Sequence, residues 1–160
     1  MNLEHLRSRF GEHFNVTTAD AMLANEGSVP LIGIPEYLGM HFTDVGPGWC
    51  VCELELRPDL LNPAGVAHGA VVASLIDHTL GTTVVPLIPA GSWPATLEFK
   101  LNYLAPARDG VLAARGEVRN MTKRTAVVAV ECENQGRTVA VALGTIAITP
   151  PRTGGSPSAL

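Results

Sequence analysis

Charge is scarce in this sequence. Asp, Glu, Lys and Arg make up 16% of its 160 residues, against roughly a quarter in ordinary soluble domains, and the mean hydropathy is +0.21. So little charge leaves little surface to give to water, and part of that surface is expected to be an oligomer interface. The formal net charge of -4 argues against nucleic acid as the main partner. Cysteine is scarce too. Cys50, Cys52 and Cys132 form an odd set without a CxxC pair, which excludes a disulfide framework and fits a reduced, cytoplasmic setting. The N-terminal "MNLEHLRSRFGEHF" lacks the apolar core of a signal peptide or membrane span. Several catalytic signatures are missing as well. Ser74 has no Gly-x-Ser-x-Gly elbow, the five His show no HExxH spacing, and there is no P-loop or GxGxxG. No metal and no bound cofactor is expected.

What is present reads as one domain. Leu3, Leu6 and Phe10 predict a short amphipathic helix within residues 2–14, and "TTADAMLANEG" a second. Residues 27–36, with Pro30 and Pro35, read as a connector. A hairpin turns at Gly46-Pro47-Gly48, with Cys50 and Cys52 on one strand face. A loop, "DLLNPAGVA", leads into a long apolar helix from 69 to about 85. That run approaches membrane-spanning length, but it contains Asp77 and His78 and ends at Pro86, so a buried helix is the better reading. Strands follow in "TLEFKLNYL", "VLAARGEVRNM", "TAVVAVECE" and "RTVAVALGTIAIT", the last two a hairpin around Asn134-Gln135-Gly136. The order predicts an α+β fold, an antiparallel sheet wrapped around one central helix. The boundaries are an N-terminal helical segment and connector over 1–36, the main domain over 37–149 and a disordered tail over 150–160.

Asp77 sits in the middle of "HGAVVASLIDHTLGTTVV", where burying a charge is costly unless something compensates. Its helical neighbours three and four residues away are Ala73, Ser74, Leu80 and Gly81, so it has open space beside it. Gly69 falls at the helix start, where free N–H groups and the helix dipole stabilise a developing oxyanion. Asn62, in the preceding loop, offers an amide donor. Gly69 and Asp77 are about 12 Å apart along the axis at about 1.5 Å per residue, too far to act on one carbonyl. Two such helices packed antiparallel across a two-fold axis would bring Gly69 of one chain to Asp77 of the other.

These residues also resemble a known family. "NPAGVAHGAVVASLIDHTLG" is similar to the signature of hotdog-fold thioesterases of the phenylacetate-pathway type, with Asn62, His68, Gly69 and Asp77 at the family's spacings. The likeness continues through "ATLEFKLNYLAPARDG" and "GRTVAVALGTIAIT" and covers about residues 37–149. It implies a hotdog fold and hydrolysis of an acyl-CoA, aromatic or medium-chain, to carboxylate and free CoA. It implies a site shared between the subunits of a homodimer, often paired into tetramers. Gly69 N–H and Asn62 would polarise the thioester carbonyl, and Asp77 would act as nucleophile or general base. Thr96, ten residues before Pro106, would help to place water. Ala70 departs from the family's second glycine, and Lys123 stands where a glycine often precedes Arg124. Strand parity puts Thr96 on the face of Glu98 and Lys100. His68 lies about 180° from Asp77 around the helix at about 100° per residue, so its candidate roles are capping, orienting the loop or helping the leaving thiolate. His78 is read as packing. Arg108, Lys123 and Arg124, in turns near the sheet edges, are candidates for the CoA phosphates. A hotdog hydratase or dehydratase and a non-catalytic acyl-CoA sensor are the alternatives. No membrane partner is expected.

Overall fold

The computed structural model describes residues 3–24 and 32–151. The chain runs through α1 (Leu3–Phe10), α2 (Val16–Leu23), α3 (Ile34–Leu38), β1 (His41–Gly46), β2 (Trp49–Glu55), α4 (Gly69–Thr82), β3 (Trp93–Tyr103), β4 (Val111–Met121), β5 (Thr125–Asn134) and β6 (Arg137–Thr149). The strands form one antiparallel sheet in the order β1-β2-β4-β5-β6-β3. With α4 lying on one face of it, this is the α+β hotdog arrangement expected from the sequence. The stretch Gly69–Leu87 is long and apolar enough to cross a membrane, but it is the mostly buried central helix and its continuation.

Leu75, Ile76 and Leu80 of α4 are fully buried against the sheet. Two glycines let the helix approach so closely. A Cβ on Gly116 would collide with Thr83 Oγ1, and one on Gly144 would lie 2.8 Å from Phe99 Cβ and 2.9 Å from Leu80 Cδ1. Near the end of α4 the buried hydroxyls of Thr79, Thr82 and Thr83 donate to Leu75 O, His78 O and Thr79 O at 2.7, 2.7 and 2.6 Å, so none is left unpaired. Gly144→Ala is expected to cost about 1–3 kcal/mol through overpacking. A thermal melt should show the midpoint about 5 °C lower; an unchanged midpoint would mean that the helix can move off the sheet at no cost.

The sheet does not surround the helix. Ala70 and Asp77 are exposed, and Ala73, Ser74 and Gly81 are half-buried. At about 100° per residue these five occupy one arc of about 100°. Asp77 is therefore not buried within its own chain, contrary to the sequence reading. It sits on the one stripe of α4 that the sheet leaves open.

The N-terminal helices dock where α4 ends. Phe10 lies over the β1–β2 turn, where Gly48 has φ +91 and a Cβ would come within 2.7 Å of the Phe10 ring. Arg9 donates to Arg119 O at 2.9 Å and Asn120 Oδ1 at 3.1 Å, and Asn15 N donates to Pro86 O at 2.8 Å. The connector expected over 27–36 contains the start of α3, which opens before the boundary at 37. Pro35 occupies its first turn, and Gly39, in the left-handed region with φ +74, ends it. Residues 27–31 and the tail from 152 lie outside the described residues.

Candidate active site

The loop before α4 is closed on itself. Asn62 N donates to Val66 O at 2.8 Å, Gly65 N to Asn62 O at 2.9 Å, and His68 N to Leu60 O at 2.9 Å. The side chain of Asn62 is part of this framework. Its Oδ1 accepts from Ala64 N at 2.9 Å and Val66 N at 3.4 Å, an Asx turn. That fixes the amide plane and leaves Nδ2 as a donor without an acceptor among the described residues. Arg108 donates from Nη1 to Gly65 O at 3.3 Å and Ala64 O at 3.5 Å, bracing the same loop from the β3–β4 connection.

His68 is the N-cap of α4. Its Nδ1 accepts from Ala70 N at 3.1 Å, and its carbonyl accepts from Val71 N at 2.9 Å and Val72 N at 3.4 Å. Of the roles considered for His68, capping is the one that this geometry displays. The Gly69 N–H, by contrast, finds no acceptor among the described residues. It is a helix-start donor without a partner, of the kind that binds anionic oxygen. Asp77 has no hydrogen-bond or ion-pair partner among the described residues. Ser74 beside it is occupied, donating to Ala70 O at 2.8 Å.

The strand parity expected for Thr96 is overturned by a β-bulge. The β3–β6 register runs Thr96↔Ile146 and then Glu98↔Thr145, so Leu97 is an extra residue. Directly opposed residues share a face. Thr96 therefore lies on the helix-facing side with buried Ile146, while Glu98 faces outward and accepts from Thr145 Oγ1 at 2.6 Å. Bulges re-aim side chains in this way. Gly69 packs against Tyr103, and Leu80 reaches Gly144, which is opposite Phe99. Asp77 lies between these levels and Thr96 beyond them, so one chain does not bring Gly69, Asp77 and Thr96 together.

The three candidate phosphate ligands also separate. The register puts Arg108 at the α4 N-terminal end of the sheet, by Asn134 and Arg137. It puts Lys123 and Arg124 at the opposite end, by Pro89, Ser92 and Ile148. All three are exposed. Tyr103, which sequence reasoning missed, donates its hydroxyl to Gly69 O at 2.8 Å. The two residues are 34 positions apart, and no local pattern links them.

His78, next to Asp77, packs its ring 5.5 Å from that of Phe42. Its Nε2 is buried without a hydrogen-bond partner among the described residues. Burial pushes the imidazole down to about 4, partly offset by the charge of Asp77. A folded pKa below the ordinary 6.5 means that the unfolded chain takes up the proton first. The stabilisation is present above pH 6.5 and is lost as pH falls from there towards 4, on the order of 3 kcal/mol in all. Urea unfolding of the wild type and of His78→Phe at pH 7, 5.5 and 4.5 checks this. The variant should lose less stability on acidification, and parallel losses would exclude His78 as the sensitive group.

A family model described as the thioesterase superfamily matches residues 64–141, from the Asn62 loop into β6. In solved structures the TT0310 protein of Thermus thermophilus is 31% identical, with a TM-score of 0.65 over 71% of this chain and 94% of that one. The chain belongs to the thioesterase superfamily. It is a thioester hydrolase of PaaI-like type. The PaaI protein of the E. coli phenylacetic acid degradation operon is 25% identical, with a TM-score of 0.71 over 88% of this chain and 94% of that one. A 1,4-dihydroxy-2-naphthoyl-CoA hydrolase of Listeria monocytogenes is 28% identical over 96 residues, which are 60% of this chain and 78% of that protein.

Proposed function

We propose that this thioesterase hydrolyses an aromatic or medium-chain acyl-CoA to the carboxylate and free CoA, in a site shared by two subunits, in the cytoplasm. The observation that carries the reading is a pair of groups on one helix that have no partner among the described residues: the Gly69 N–H at its start and the Asp77 carboxylate on its open stripe. An amide donor and a carboxylate are what thioester hydrolysis needs. The thioester oxygen takes hydrogen bonds from Gly69 N–H and Asn62 Nδ2, which strengthen as negative charge develops. The carboxylate adds to the carbonyl carbon, or it takes a proton from a water that does so. The tetrahedral adduct collapses with cleavage of the C–S bond, and the CoA thiolate leaves and is protonated; in the first case the anhydride left on the carboxylate is then hydrolysed by water.

About 12 Å of helix separates the two groups, so the carboxylate that completes the site is the partner's Asp77. Two features support a dimer. The stripe around Asp77 is made of small residues that admit another helix. The edge strand β3 and the segment after it expose Trp93, Leu97, Tyr103 and Leu104. Antiparallel pairing along this edge also sets opposite ends of two sheets side by side. Arg108 of one chain then approaches the partner's Lys123 and the partner's Arg124, a basic rim suited to the CoA phosphates. Dimers pairing further into tetramers belong to the same reading, as does the likeness of the Listeria hydrolase, whose name gives an aromatic acyl-CoA.

The test is release of free thiol from a panel of aromatic, short and medium-chain acyl-CoAs. The protein's own thiols do not interfere: Cys50, Cys52 and Cys132 are buried and free. Burial pushes Cys50 up to about 11 and Cys132 up to about 12, and raises Cys52 as well. Thiol release from aromatic members confirms the reading. Enoyl product from a 3-hydroxyacyl-CoA would replace it with a hydratase, and tight binding without release with a sensor.

A further inference from the structure

We infer that Tyr103 is a positioning residue for the oxyanion donor, an inference that rests on the hydrolase reading above. Glycine is the residue least able to hold its own amide in one direction, yet Gly69 must aim its N–H at a carbonyl oxygen. The structure removes that freedom from both sides. The peptide plane before Gly69 is held by the His68 carbonyl, which accepts from Val71 N and Val72 N. The plane after it is held at both ends: Ala70 N donates to His68 Nδ1, and the Tyr103 hydroxyl donates to Gly69 O. The ring adds a steric stop, since a Cβ on Gly69 would lie 3.1 Å from the Tyr103 hydroxyl oxygen and 3.3 Å from Cζ. Tyr103 reaches this point because it is on the inner face of β3, opposite the fully buried Ala140. The edge strand thus clamps the first turn of the central helix, and the clamp fixes where the Gly69 N–H points.

Tyr103→Phe keeps the ring and removes the donor. Small misplacement of a positioned group costs large factors in rate, so kcat is expected to fall about tenfold with KM unchanged, equally at every pH from 6 to 9. Hydrogen exchange followed by NMR should show faster exchange at Ala70 and Val71 and unchanged protection in the sheet. Tyr103→Leu, which loses ring and donor, should lower kcat further at the same KM. Wild-type kcat in Tyr103→Phe, or a raised KM with kcat intact, overturns the inference, as does unchanged exchange at the first turn. The wild type is run beside the variants on the same acyl-CoA panel. If it releases no thiol, the hydrolase reading fails, and the exchange measurement still decides whether the clamp exists.

Discussion

Replacing Asp77 by Asn is expected to lower kcat by about a thousandfold, within the range that a general base supplies, while the melting midpoint stays within about 2 °C. Both halves follow from where the residue sits. Asp77 is exposed on α4 and has no hydrogen-bond or ion-pair partner among the described residues, and isosteric changes at such positions move stability little. Nothing among the described residues requires a carboxylate there. Asn keeps the shape and loses both the negative charge and the basicity, so a base and a nucleophile are removed by the same change. Steady-state thiol release with the best acyl-CoA of the panel measures the effect, and a melt of the same preparation measures the fold. Full turnover in Asp77→Asn would remove the carboxylate from the mechanism.

The second large effect is a gain. Asn62→Asp keeps an oxygen for the Ala64 and Val66 amides but puts negative charge where the thioester oxygen must bind, so it should be as inactive as Asp77→Asn. Unfolding and refolding the two dead variants together, in equal amounts, should restore activity. In a shared site, half of the dimers formed are mixed. Each mixed dimer has one site carrying both lesions and one carrying neither, so about a quarter of wild-type activity should return under two-fold symmetry. If each chain completes its own site, the mixture stays inactive. The size of the recovery thus separates the two arrangements without any knowledge of the substrate.

Much of this was legible in the residues. Alternation and the turns at Gly46-Pro47-Gly48 and Asn134-Gln135-Gly136 gave the hairpins, and the long apolar run, broken only by Asp77, His78 and small polar residues, gave α4. The loop–glycine–carboxylate spacing singled out Asn62, Gly69 and Asp77. Three things were not legible, each for a physical reason. Asp77 looks buried in a string of apolar neighbours, but a sheet can cover only part of a helix's circumference, and the string does not say which part is left. The parity of Thr96 depends on a bulge, a property of two paired strands and not of either alone. The Tyr103–Gly69 contact joins residues that only the sheet brings together. The helix α3 is a different case. Pro35 in its first turn and Gly39 just past its end are ordinary helix punctuation, and the signal was there to be read.

Leu97 is the one residue of β3 that opposes nothing on β6. A chain lacking it would pair Thr96 in ordinary alternation with Glu98 and still turn Thr96 towards the helix. The inner face is therefore indifferent to the length of the strand by one residue, whereas the count along the chain is not. In a shorter homologue a threonine nine positions before the turn proline would occupy the place that Thr96 holds here at ten. A fixed-distance signature would pass over such a protein although its interior was the same, so equivalence at this strand has to be judged in the folded molecule.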